Sequence, residues 1–295
     1  MKSSHLNQIV LNIIMITLCV FCLIPFWLLF SASLTEDAEI IRNGYRFLPK
    51  DINFSAYSYL FSSSLGILRA YSITIVVTVI GTVAGLTLTA TLAYPLSRFE
   101  MPFKNALAFF IFFTMLFNGG LVPSYLVYTN LFDVKNTLWA LIIPGLLMNG
   151  FFIILMRTFF ATSIPRPLIE SAQIDGAKEW KIFCSIVVPL STPVFGMIGL
   201  FYTLLYWNDW NNGLIYITDS QYYSLQNLLN RILQDIQFLQ SSTQLNNKGD
   251  ELASNVPLGS MRMAIAAIGV IPLLIAFPFF QRFFVKGLTI GSVKG

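Results

Sequence analysis

The sequence predicts an all-α, polytopic membrane protein with six transmembrane helices and both termini on the cytoplasmic side. Three observations carry that expectation. First, 56% of the 295 residues are hydrophobic and 11% charged, with a mean hydropathy of +0.70, whereas a soluble domain carries about 25% charged residues. Second, the charges cluster and leave uncharged runs over 3–35, 70–97, 105–132, 136–156, 182–208 and 263–281. Each run can supply the roughly 20 residues that cross the hydrocarbon core as a helix. The runs are continuous rather than alternating with period two, which argues against a strand barrel. In lipid, backbone polar groups need partners within the segment, as a helix provides. Third, threading six spans puts ten basic and four acidic residues on the side of the termini, among them Arg98, Lys104, Arg157, Lys178, Lys181 and Arg282. The opposite loops, about twice as long, hold eight basic and ten acidic residues. The basic side is therefore cytoplasmic. The net charge of +4 reflects this bias and does not form a nucleic-acid patch.

The elements follow in order. Residues 1–70 hold the first helix, over 7–30, and an outer loop. Lys2 and His5 precede the apolar stretch and Ser31-Ala32-Ser33 follows it, as in a signal peptide. The stretch is too long for the 7–15 residues of a cleavable core, so an uncleaved span is expected. Cys19 and Cys22 form a C-x-x-C inside that span, where thiolates are disfavoured, and Cys184 lies near the inner face. Packing suits them better than redox chemistry or zinc. Five more helices over 71–95, 106–128, 137–156, 184–206 and 263–281 complete a core of 71–295, with a cytoplasmic tail over 282–295.

None of the spans carries an ionisable group in its middle. Ion-coupled carriers usually need one, so a pathway powered from outside the chain is favoured. Amides, hydroxyls and aromatic rings remain. Asn118, Tyr125, Asn149, Tyr206 and Trp207 are candidates for a substrate path, each set against a packing or interfacial-belt role. No H-E-x-x-H, G-x-S-x-G, P-loop or Gly-rich dinucleotide turn is present, and His5 is the only histidine. No catalytic residue, metal ligand or cofactor site is expected.

Two loops stand out. The outer segment 207–261 exceeds an ordinary connection. Leu225, Leu228, Leu229, Ile232, Leu233, Ile236 and Leu239 recur there at helical spacing, with Arg231 and Asp235 off that face. The helix either packs on the protein's own rim or docks an external partner. In the inner loop 157–183, Ser163 and Pro165 suit a helix start, and Leu168, Ile169 and Ala172 share a face. Gly176 can provide a left-handed stop. A second piece with Trp180, Ile182 and Phe183 leads into the fifth span. A short helix projected from the inner face would fit a partner's cleft, or it could lie flat on the bilayer.

Glu170-Ser171-Ala172-Gln173-Ile174-Asp175-Gly176-Ala177, followed by Phe183, Ile186, Pro189-Leu190 and Pro193, resembles the EAA loop of ABC importer permeases. The family form is approximately E-A-A-x-x-D-G-A followed by I-x-L-P-L-x-x-P. Ser171 replaces the common Ala, and Val188 stands where Leu is usual. The resemblance extends over nearly the whole chain to the MalG-like sugar permeases of the MetI-like superfamily, in the LplC/YtcP-like subgroup. Ala93-Tyr94-Pro95-Leu96-Ser97-Arg98, Met115-Leu116-Phe117-Asn118-Gly119-Gly120-Leu121, Tyr206-Trp207-Asn208-Asp209-Trp210-Asn211 and Gln281-Arg282-Phe283-Phe284-Val285-Lys286-Gly287-Leu288-Thr289 carry it.

The resemblance implies one permease subunit of a binding-protein-dependent importer in the bacterial inner membrane. It further implies a second homologous permease, an ATPase dimer at the cytoplasmic face and an extracellular or periplasmic sugar-binding protein. ATP and Mg would sit on the ATPases. Glu170, Ser171, Ala172, Asp175, Gly176 and Ala177 would couple the chain to them. The subgroup resembles importers of oligosaccharides from uronate-containing polysaccharides, although the net acidic outer loops give no electrostatic support for an anionic cargo. A permease for a non-sugar solute and a non-transporting membrane scaffold remain as alternatives.

Overall fold

The computed structural model describes residues 5–62, 65–245 and 258–291. Lys2, the polar stretch 246–257 and the final 292–295 lie outside the described residues. Among the described residues the chain is helical, and its one β feature is an isolated bridge between Thr35 and Ile52. Where the sequence separates 1–70 from 71–295, the structure groups Met1–Ile67 with Leu229–Pro272 as one compact unit. Leu68–Leu228 and Leu273–Gly295 form another.

The first unit contains α1 (His5–Ser33). Its segment Asn7–Ser33 is long and apolar enough to cross a membrane. Side chains from Ile9 to Trp27 are exposed all round, as suits a helix whose solvent is lipid. At its end Trp27 Nε1 donates to Phe47 O at 2.8 Å and Ser31 Oγ to Arg46 O at 2.8 Å. Two short helices, α2 (Asp37–Asn43) and α3 (Ser55–Ser62), follow. Asp37 Oδ1 accepts from the amides of Gly259 (2.6 Å) and Ser260 (3.0 Å), satisfying orphan donors at the start of the last helix, Leu258–Gly291.

The second unit is built on α4 (Leu65–Ser97), an unbroken helix. The third expected span, 106–128, is not continuous. Helix α5 (Lys104–Leu116) stops, and α6 (Leu121–Leu126) leaves at 112°, continued by one wide π turn over Val127–Leu131. Asn118 causes this break. Its Oδ1 accepts from Gly120 N at 2.9 Å, closing a side-chain turn that competes with the helix, and Gly120 sits at φ +87°.

The fourth expected span, 137–156, is also corrected. Helix α7 (Trp139–Ile142) is a single turn. Pro144, which has no amide hydrogen, and Gly145 at φ +70° interrupt the chain. Helix α8 (Gly150–Ser163) then starts with Asn149 as its cap, Oδ1 accepting from Phe151 N at 3.0 Å and Phe152 N at 3.4 Å. At 1.5 Å per residue α8 is about 21 Å long, short of a roughly 30 Å hydrocarbon core. The irregular piece before it is only partly covered, with Pro144 buried and Gly145 and Met148 exposed, so its freed backbone groups need specific partners. Ala140, Leu141 and Ile142 are buried. Two freed carbonyls find partners: Tyr206 OH donates to Ile142 O (3.1 Å) and Asn212 Nδ2 to Pro144 O (2.9 Å).

The fifth span bends by 81° at Ser191, between Pro189 and Pro193, as the two prolines lead one to expect. Beyond the bend runs α12 (Thr192–Trp207). Its Tyr202 and Tyr206 rings lie against Gly85 and Gly81 of α4, where a Cβ would collide with them. Tyr202 OH and Thr89 Oγ1 lie 2.8 Å apart. Phe152 of α8 meets the Tyr202 ring edge-on at 4.9 Å. This three-helix contact is the core of the unit. Among the described residues, three helices are long and apolar enough to span, or up to six segments if each bent pair counts as one.

Candidate functional site

The inner loop starts where α8 stops. Ile164 is buried and extended (φ −99°, ψ 116°), the conformation imposed on a residue preceding proline. Pro165 occupies the N-cap position and Pro167 lies in the first turn of α9 (Arg166–Ile174). Together they turn the chain by 78°. Ile169 is buried and Ala172 half-buried, so they face the body. Leu168, expected on the same face, is exposed. Glu170, Ser171, Gln173, Ile174 and Asp175 are exposed as well, and Ile174 is 86% open.

Gly176 ends the helix at φ +76°. Its amide donates to Gln173 O (2.9 Å) and the Ala177 amide to Ala172 O (2.9 Å). This pair of bonds is the Schellman stop, with glycine in its left-handed position. Ser171 Oγ donates back to Leu168 O at 3.1 Å. The Glu170 side chain makes no hydrogen bond or ion pair with any described residue, so it does not cap its own loop.

Beyond the turn comes α10 (Glu179–Ile182), followed by a π turn over Phe183–Val187. Three donors converge on the Glu179 carboxylate: Tyr94 OH at 2.5 Å, Gln173 Nε2 at 2.9 Å and Arg98 NH2 at 3.3 Å. Desolvation opposes the charge. The Tyr94 and Gln173 hydrogen bonds and the Arg98 guanidinium outweigh it and hold this loop carboxyl below its usual range. Phe183 packs on Tyr94 at 5.1 Å, and Arg157 Nε of α8 donates to Leu96 O at 3.1 Å. A cavity of about 410 Å³ opens beside Tyr94, Arg98, Glu179, Trp180 and Phe183. Sequence reasoning missed Glu179, Tyr94, Arg98 and Arg157 as a junction. The available signal was the placement of these few polar residues at the inner ends of apolar runs.

The five substrate-path candidates are not brought to one place. Asn118 forms a turn and Asn149 caps α8. Tyr206 and Trp207 are buried, with Tyr71 6.3 Å from the Trp207 ring. Tyr125 stacks on Tyr216 at 5.8 Å, and Tyr128 meets the same ring edge-on at 6.1 Å. A cavity of about 440 Å³ at the α8 start and α12 end is lined instead by Leu146, Phe152, Phe201, Leu204, Leu205, Asn208, Asp209, Trp210 and Asn211. Exposed Trp210 offers a ring face, and Asn208 and Asn211 offer amides, which suits a polar molecule with apolar faces. The outer amphipathic helix, α14 (Leu225–Leu245), buries Leu225, Leu229 and Ile236. Its apolar face is thus used within the protein itself.

Residues 85–290 match the family described as binding-protein-dependent transport system inner membrane component. The chain is 38% identical to "Protein LplC" of Bacillus subtilis over 274 residues, covering 92% of this chain and 90% of the relative. It is 36% identical to the "Polygalacturonan/rhamnogalacturonan transport system permease protein YtcP" of the same organism, with 93% of each chain covered. Among solved structures it is similar to a chain of a bacterial ABC transporter involved in the import of the acidic polysaccharide alginate. That likeness has a TM-score of 0.79 and 28% identity, covering 96% of this chain and 98% of the other.

Proposed function

The chain belongs to the family of binding-protein-dependent transport system inner membrane components, and from that premise we propose that it is one permease half of an ABC importer that moves a sugar or oligosaccharide inward. The observation that carries the reading is α9, a short helix set off by proline at one end and a Schellman glycine at the other, with its outer face free of the body. A lever of this kind gives a partner ATPase a handle on the spans, and its position has to differ between inward-open and outward-open states for coupling to occur.

In this proposal the chain crosses the membrane six times with both termini cytoplasmic, three crossings being bent pairs. It pairs with a second homologous permease. Two ATPase subunits bind ATP and Mg beneath them, and an external binding protein delivers the cargo. Of the six coupling-loop residues, Glu170, Ser171, Asp175 and Gly176 form the exposed contact with one ATPase, and Ala172 and Ala177 pack behind them and set its position. The names of YtcP and of the alginate importer both point to acidic polysaccharides, which supports an oligouronate cargo for this chain. Asp209 beside the outer cavity would oppose a carboxylate placed next to it, so the sugar's acidic group would have to face elsewhere.

The test is ATP-dependent accumulation of labelled trigalacturonate and of a neutral trisaccharide in proteoliposomes holding the assembled importer. Accumulation of the uronate, with the neutral sugar several-fold slower, is expected. Accumulation of the neutral sugar alone would overturn the cargo assignment, and no ATP-dependent accumulation of any saccharide would overturn the sugar-importer reading.

A further inference from the structure

We propose that Glu179 is a positioning residue, the strut through which movement of α9 is passed to the inner end of α4. This rests on the reading of α9 as the coupling helix. One carboxylate gathers Gln173 from α9 and Tyr94 and Arg98 from α4. Gln173 sits one turn before the stop glycine, so the strut grips the far end of α9 rather than its root at Pro165. Apart from this grip, α9 touches the body through Ile169 and the half-buried Ala172, and at its root through the Arg166 guanidinium over the Phe99 ring at 5.2 Å. Displacing the Gln173 end of α9 therefore pulls on Glu179, and through it on Tyr94, while the Arg166–Phe99 contact holds the root.

The anatomy of α4 makes that pull consequential. The helix is unbroken from Leu65 to Ser97. Its middle packs on α12 through Gly81 and Gly85, and its inner end is tied to α8 through Arg157 and Leu96 O. A force applied at Tyr94 acts on a single rigid rod rather than on one of the broken spans. The cavity beside Tyr94, Arg98 and Glu179 leaves free volume into which the junction can shift.

The pair is open to water. The side chain of Glu179 is 54% exposed and that of Arg98 19%. Such an ion pair contributes little to folding stability, yet its three directional bonds fix geometry. Its loss should accordingly affect transmission more than assembly.

The experiment uses the complete importer in proteoliposomes with Glu179→Ala, Glu179→Gln and Tyr94→Phe. Co-purification of the ATPase, ATP hydrolysis and uptake are read in parallel. The cargo is labelled trigalacturonate, or the neutral trisaccharide if the wild-type complex accumulates that instead. Glu179→Ala should keep the ATPase bound and hydrolysing while uptake per ATP falls about fivefold or more, at the low end of ordinary coupling between sites. Tyr94→Phe, which removes one hydroxyl, should lower the same ratio by a smaller factor. Combined with Glu179→Gln, its effect should be less than additive. An unchanged uptake-to-ATP ratio in Glu179→Ala overturns the proposal. So does a fall in uptake wholly accounted for by lost complex, since Glu179 would then only hold the fold. Gly176→Val separates the two levels. If it impairs transport while Glu179→Ala is normal, the coupling-loop reading stands and the strut fails. If it too is normal, the coupling-loop reading fails with it.

Discussion

At Gly176 a single dihedral angle decides where α9 ends. Its φ of +76° is open to glycine, tolerable for asparagine and strongly unfavourable for a β-branched residue. A Cβ built at this position meets nothing within 4 Å, so the penalty comes from the backbone alone, roughly 1–3 kcal/mol. Gly176→Val should therefore misdirect α9 and reduce uptake severely, whereas Gly176→Asn should retain most of it. Parallel uptake assays at matched expression check this. Equal activity of the two variants would mean that the left-handed stop is not needed. The glycine was legible in the sequence because the helical face of Ile169 and Ala172 ends just before it. Glu179 was not, because its three partners come from 85, 81 and 6 residues away, and only one of those separations is local. Tyr206 shows the opposite case. Its aromatic hydroxyl suggested a sugar contact, but an unpaired carbonyl in a broken helix is costly in lipid, and Tyr206 supplies the donor to Ile142 O.

Among the elements, the apolar runs located the long helices near the first, second and last expected spans, while the breaks within the middle three were hidden. Hydropathy dips for only a few residues at Phe117–Gly120 and at Pro144–Gly145, so a span-length window over 106–128 or 137–156 reads through both. The turn signals were present as Asn118-Gly119-Gly120 and Pro144-Gly145, but the apolar flanks outweighed them. The outer helix α14 was legible from its spacing, and its two readings now separate. Leu229 is buried, so Leu229→Ala should cost about 2–5 kcal/mol as a core truncation and lower the yield of assembled complex. Trimming residues 240–254, the polar part of the outer arm, should leave assembly intact and weaken the stimulation of ATP hydrolysis by the binding protein. Hydrolysis rates with and without the binding protein check the second effect. Unchanged stimulation would reduce the arm to a passive rim.

For the whole molecule, the account makes this chain necessary but not sufficient for transport. In the proposed reading, the chain contributes a membrane path with a handle for an external motor. The most direct measurement is ATP-dependent accumulation of a labelled oligosaccharide in proteoliposomes built from this chain, its partner permease, the ATPase and the binding protein, with each component omitted in turn. The account predicts accumulation only when all four are present, and its loss when this chain carries Glu170→Lys although the other three remain. Accumulation that persists without this chain, or that this chain supports without the ATPase, would contradict it.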